Sequence, residues 1–127
     1  MKLIYHVHKY AGILGIPTYI FFTFMAHLHN KEINPMNYWL SDYGNPFVNP
    51  DGSVFYNTGC VITALLLAVF YIGMYCWYGR DRASRKLNIS YAIAQSAGLF
   101  GSFFLIMTTV YPLGVDNRMH AVFSTAN

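Results

Sequence analysis

A small set of ionisable side chains could carry chemistry in this sequence if the fold brings them together: Asp42, Asp51, Asp116, Arg118 and His120. Asp116 and His120 are four residues apart, so on a helix they lie on one face, as a carboxylate orienting an imidazole or as two metal ligands. The same spacing fits a structural arrangement in which Asp116 caps a helix and His120 lies at a membrane interface. Both interpretations stay open. The sequence does not specify a cofactor.

Asp42 is the third candidate, in the segment Leu40-Ser41-Asp42-Tyr43-Gly44. Near lipid headgroups its carboxylate could bind a cation or a lipid amine, and a simple ion pair with Arg118 explains it equally well. His27 and His29 would point to different sides of a helix, so the sequence does not predict a two-ligand site there. Asp42, Asp116 and His120 are therefore the candidate catalytic and metal-binding residues.

The composition indicates that a membrane bundle must position these residues. Of the 127 residues 55% are apolar and 10% are charged, whereas soluble proteins carry about 25% charged residues. Four of the eight Lys and Arg residues fall in residues 79–86. A basic loop of this kind is typical of a topological signal, so the net charge of +3 does not indicate nucleic-acid binding.

Three segments without formal charge are long enough to cross a hydrocarbon core, residues 10–28, 54–78 and 87–111. Pro17 is expected to kink the first of them. The sequence thus predicts an all-α integral membrane bundle, a single domain over residues 1–127.

The connecting segments complete this prediction. In the loop 30–53, Asn34 followed by Pro35 predicts a short interfacial helix. Asp116 predicts the start of a fourth helix over residues 117–127. By the positive-inside rule the loop 79–86 is cytoplasmic, as is the N-terminus, while residues 30–53 and 112–127 lie on the outer side of the cell membrane.

The third predicted helix carries small residues at four-residue spacing, Ala94, Gly98 and Ser102, beside Ala97 and Gly101. Small residues let a second membrane helix approach closely. We therefore expect a packing face there. Packing within the chain and packing against another chain are both consistent with it.

Three short motifs resemble a known family, the domain-of-unknown-function family 998 of prokaryotic membrane proteins. They are Leu40-Ser41-Asp42-Tyr43-Gly44-Asn45-Pro46, then Phe55-Tyr56-Asn57-Thr58-Gly59, then Tyr111-Pro112 followed by His120. The layout is also similar to that of DRAM-like and Frag-like membrane proteins. Tyr43 replaces a residue that is often aliphatic in the family.

The resemblance implies a six-helix bundle of which this chain is the N-terminal half, and it implies special roles for Ser41, Asp42, Asn57 and His120. It implies no particular reaction. Two functions follow as hypotheses. The first is an accessory or structural subunit of a larger membrane assembly, in contact with lipid and with other subunits or further copies. The second is a membrane hydrolase or lipid-handling enzyme, in which His120 with Asp42 or Asp116 and a metal ion activates water.

Overall fold

The computed structural model describes residues 2–34, 36, 38–77 and 85–125. Within these residues the fold is entirely helical, which confirms the predicted fold class. The helices are α1 (Lys2–His29), α2 (Ser53–Gly73), α3 (Arg85–Val110) and α4 (Asn117–Thr125), with short 3-10 helices at Leu40–Gly44 and Met74–Trp77. The basic loop that set the predicted orientation lies mostly outside the described residues.

Three of the described helices are long and apolar enough to cross a membrane, over Val7–His29, Ser53–Cys76 and Arg85–Val110. The predicted spans therefore correspond to helices of the structure. The first helix begins at Lys2 rather than at residue 10, because a hydropathy criterion stops at the charged Lys9 while the backbone hydrogen bonds continue past it. Pro17 lies inside this continuous helix.

Helices α1 and α2 pack antiparallel along their length, and the glycines on both helices set the register. A Cβ atom on Gly12 would lie 2.6 Å from the ring of Phe70, and one on Gly59 would overlap the Cβ of Phe22. Side chains at these positions would push the helices apart. Close approach of backbones through small residues is the usual way in which membrane helices associate.

Helix α3 packs on α2 through part of its small-residue face. A Cβ atom on Gly98 would overlap the Tyr71 ring, whereas one on Gly101 would have no atom of the described chain within 4 Å. The predicted packing face is thus used at Gly98 and open at Gly101. The glycines of the α1 and α2 contact make a further tight interface that the sequence analysis did not single out.

The antiparallel order places residues 30–52 and residues 111–125 at the same end of the bundle, which we call the loop end. The short helix expected to begin at Asn34 is not formed as an α-helix in the described residues. Asn34 instead makes a turn, in which its side-chain oxygen accepts a hydrogen bond from Met36 N at 3.0 Å. The regular element of the loop comes later, as the 3-10 helix Leu40–Gly44.

Candidate functional site

Asn49 is a buried residue whose side chain links three segments of the loop end through hydrogen bonds. Its side chain is 1% exposed, and its Nδ2 donates hydrogen bonds to the carbonyl oxygens of Ala26 and Tyr43, both at 3.2 Å. Its Oδ1 accepts a hydrogen bond from Gly52 N at 3.2 Å. Ala26 is among the last four residues of α1, whose carbonyls have no partner inside the helix. Asn49 therefore ties the end of α1 to the loop and to the start of α2.

Tyr43 forms a second polar contact between the loop and α1. Its hydroxyl lies 3.0 Å from the carbonyl oxygen of Ile33 and 3.0 Å from Nδ1 of His27. A carbonyl only accepts, so both contacts are satisfied when Tyr43 donates to Ile33 and His27 donates to Tyr43. Burial raises the pKa of the Tyr43 phenol, which keeps the donating proton in place.

Asp42 is buried by its position in the loop, and its carboxylate has a structural partner. The Oδ2 atom accepts a hydrogen bond from Trp39 N at 2.9 Å, an arrangement that closes the first turn of the 3-10 helix. Arg118 is exposed on α4, and in the part of the chain that the structure describes it forms no ion pair with Asp42. The neutralising pair considered from the sequence is therefore not formed.

Asp116 caps α4, as one of the two interpretations of the sequence expected. Its Oδ1 accepts a hydrogen bond from Met119 N at 3.0 Å. The turn before it needs Gly114, whose φ of 91° lies in the left-handed region that glycine adopts without strain. A Cβ atom there would also lie 2.6 Å from Oδ1 of Asn45. This turn is thus packed directly on the loop 30–52.

His120 is the buried ionisable group of α4, with 6% of its surface exposed. Its Nδ1 lies 2.9 Å from the carbonyl oxygen of Tyr111, so Nδ1 must carry a proton and donate it. In the neutral imidazole Nε2 is then an acceptor. Nε2 is buried and has no hydrogen-bond partner among the described residues. The backbone of Tyr111, rather than the carboxylate of Asp116, orients the imidazole.

A cavity of about 200 Å³ lies beside His120, where all the elements of the loop end converge. Its polar lining comprises Tyr19, Ser41, Tyr56, Asn57, Thr108, Thr109, His120 and Ser124. Asn57 donates a hydrogen bond to the carbonyl oxygen of Gly44 at 3.1 Å, which fixes the loop beside the cavity. Three of the residues singled out by the family resemblance, Ser41, Asn57 and His120, therefore line one cavity.

Tyr19 and Tyr56 line this cavity as a pair. Their hydroxyl oxygens are 3.0 Å apart, and their rings meet edge to face with centroids 6.0 Å apart. The sequence analysis did not predict this pair. Its only signal is that each residue is a tyrosine inside an apolar span, where a hydroxyl needs a partner from another helix.

The predicted site residues are thus only partly brought together. His120 lines the cavity, whereas the carboxylates of Asp42 and Asp116 form caps outside its lining. The structure shows no group of three or more His, Cys, Asp or Glu residues that could hold a metal ion within the described ranges. His29 stacks on Phe55, with ring centroids 4.9 Å apart, and His27 contacts Tyr43. A catalytic role for Asp42, Asp116 and His120 stays a prediction.

Long apolar helices in an all-helical fold, joined by a polar loop end, define an integral helical membrane protein. The chain belongs to the family described as Protein of unknown function (DUF998), whose model matches residues 13–126. This match confirms the family resemblance seen in the sequence motifs and includes every residue that lines the cavity. No curated protein and no solved structure matches the chain significantly.

Proposed function

We propose that this membrane protein is a structural subunit of a larger assembly, and that α3 receives a transmembrane helix of another subunit. The observation that carries the proposal is an open groove of about 650 Å³ beside α3. It is lined by Leu67, Tyr71, Ala94, Ala97, Gly98, Gly101, Ser102 and Leu105. Small residues on one side of a groove of this kind suit the close approach of a helix.

Gly101 gives the strongest support. Glycine inside a helix costs roughly 0.5–1 kcal/mol relative to alanine. Gly98 offsets that cost by letting Tyr71 approach, but no described atom lies within 4 Å of a Cβ at Gly101. A helix packed from outside the chain would supply the missing contact. Helix α3 is also the least buried of the three candidate membrane spans. In its most apolar stretch of 18 residues 6% is buried, against 33% in the corresponding stretch of α2.

The test compares Gly101→Leu with the matched substitution Ala92→Leu, which adds bulk to an exposed residue of α3 outside the groove. Because nothing in the described chain opposes Gly101, both variants should keep the melting temperature of the wild type. We expect the wild type and Ala92→Leu to show a higher-mass species by native mass spectrometry in nanodiscs, and Gly101→Leu to lack it. That mass also distinguishes a second copy from a different subunit. A wild-type protein that is monomeric when extracted from its own membranes contradicts the proposal.

The orientation is part of the proposal. The basic residues Arg80, Arg82, Arg85 and Lys86 favour a cytoplasmic position for the end opposite the loop end. The loop end then faces the outside of the cell membrane. A membrane-impermeant maleimide on intact cells should label Trp39→Cys, at an 80% exposed position of the loop end. It should not label Cys76 at the other end. The reverse labelling pattern contradicts this orientation.

Lipid handling is the second candidate function, and the observation that favours it is His120 beside the cavity with its Nε2 unpartnered in the described chain. In this proposal His120 and Asp42 or Asp116, with an external metal ion, activate water near the headgroups. His120→Ala and Asp42→Asn test it, because the amide oxygen introduced by Asp42→Asn can still accept the hydrogen bond from Trp39 N. Unchanged lipid turnover and metal content in both variants would rule the candidate out.

A further inference from the structure

Three large apolar side chains of the loop 30–52, which we call the loop patch, are almost fully exposed. Met36 is 87% exposed, Trp39 80% and Phe47 75%. The core beneath the loop is formed by other residues, Ile33 and Tyr43, which are 1% and 3% exposed. Exposed apolar patches mark surfaces that contact a protein or a membrane. The loop patch therefore calls for a partner outside the described chain.

Hydrogen bonds fix the backbone at each residue of the loop patch. In each case the backbone N–H donates to the side-chain oxygen of a nearby Asn or Asp: Met36 to Asn34 at 3.0 Å, Trp39 to Asp42 at 2.9 Å and Phe47 to Asn45 at 2.9 Å. Asp42 and Asn45 are 9% and 7% exposed, so two of these acceptors are anchored in the interior. The fold thus holds large apolar side chains outward on a well-fixed backbone.

The loop patch adjoins the surface that the membrane spans present to lipid. The loop starts where one candidate span ends, at His29, and it ends where the next begins, at Ser53. Leu28 in the last turn of α1 is 45% exposed, and Val54 in the first turn of α2 is 66% exposed. Exposed apolar surface therefore reaches the loop from both helices. This continuity favours lipid as the partner of the loop patch.

The composition of the loop limits how deeply it can enter the bilayer. Lys31, Glu32 and Asp51 are exposed, and charged side chains are costly in the hydrocarbon core. The indole of Trp39 combines an apolar ring with an N–H donor, a combination that settles at the level of the lipid headgroups. The loop therefore suits the headgroup layer.

We propose that the loop patch inserts into the headgroup layer of the bilayer and holds the loop end at a fixed depth. The headgroup layer is hydrated, so the labelling of Trp39→Cys expected above is unaffected. The inference holds whichever side of the membrane the loop end faces. It is also independent of the assembly at α3.

The test measures tryptophan fluorescence of the full chain in phosphatidylcholine vesicles. The chain has two tryptophans, Trp39 and Trp77, so Trp77→Phe isolates the signal of Trp39. Lipids brominated close to the headgroup or close to the end of the acyl chain quench by contact, and acrylamide quenches from water. We expect a blue-shifted emission that the shallow bromolipid quenches more strongly than the deep one. If Trp77→Phe does not fold, the difference between the wild type and Trp39→Phe reports the same side chain.

Two further positions make the test specific to the loop patch, both in a Trp39→Phe, Trp77→Phe background. Phe47→Trp should show the same preference for the shallow bromolipid. Glu32→Trp is the matched control, because Glu32 is an exposed, charged residue of the same loop. We expect it to be quenched by acrylamide and only weakly by either bromolipid.

Three results would overturn the inference. Emission like that of free tryptophan at position 39 or 47, quenched by acrylamide and by neither bromolipid, means that the patch faces water. Blue-shifted emission protected from all three quenchers means that a protein covers the patch. Equal quenching by bromolipid at positions 39 and 32 means that the fold does not select the inserted residues. None of these results depends on the mass of the assembly, so this inference and the α3 proposal fail separately.

Discussion

Replacing Asn49 by alanine should cost more stability than replacing the other hydrogen-bonded asparagine of this loop, Asn30, by alanine. The substitution removes three hydrogen bonds, from Nδ2 to the carbonyls of Ala26 and Tyr43 and from Gly52 N to Oδ1. Each bond contributes about 1 kcal/mol net, and a buried group left unsatisfied costs about 1–3 kcal/mol. Since Ala26 and Tyr43 are themselves buried, we expect the free energy of unfolding to fall by about 3–5 kcal/mol.

Asn30 provides a matched control in the same loop. Its Nδ2 donates to the carbonyl oxygen of Val48 at 2.8 Å, and its Oδ1 accepts from the exposed Glu32 N at 3.1 Å. Water can replace both partners, so Asn30→Ala should lose about 1 kcal/mol. Unfolding in mixed micelles with increasing dodecyl sulfate, followed by circular dichroism, measures both values. Equal losses in the two variants would refute the reasoning that Asn49 joins α1, the loop and α2.

Two further predictions concern the helix contact and the loop. Gly59→Ala should lower the free energy of unfolding by about 1–3 kcal/mol, because its Cβ would overlap that of Phe22. Gly101→Ala is the control and should not lower it, because no described atom lies within 4 Å of a Cβ there. Equal effects of the two substitutions would contradict the close packing of α1 on α2 at Gly59. Tyr43→Phe should lower stability by about 1–2 kcal/mol at neutral pH. Burial raises the folded pKa of Tyr43, so this stabilisation is present below the unfolded pKa of about 10 and is lost as pH rises further. The stability difference from Tyr43→Phe should therefore shrink above a pH of about 10 in chemical unfolding, and a constant difference would contradict it.

Composition and hydropathy were sufficient to predict the spans, because a membrane requires long apolar helices whatever their partners. The cap at Asp116 could be predicted for a similar reason, since capping depends on local sequence. The loop 30–52 could not be predicted in the same way. Its course depends on Asn49 and Tyr43 reaching groups of α1, and nothing local distinguishes these residues from ordinary turn residues.

The candidate site likewise has features that the local sequence predicts and features that depend on tertiary contacts. His120 was identified from its spacing to Asp116 and its family-like position, and the spacing left open whether Asp116 orients the imidazole ring or caps the helix. The actual neighbour is the Tyr111 carbonyl, a backbone group with no sequence signal of its own. The Tyr19 and Tyr56 contact was equally hidden, because it depends on the register of α1 against α2. That register depends on glycines of both helices. Within either helix alone their spacing forms no regular pattern, so the sequence did not reveal the register.

The proposed function requires that the groove at Gly101 receives a helix of another subunit. A photoreactive amino acid at position 101, irradiated in intact membranes, tests it most directly, with the same amino acid at the exposed position 92 as its control. We expect a discrete protein adduct at position 101 and lipid adducts alone at position 92. Lipid adducts alone at both positions would contradict it and would show that acyl chains fill the groove.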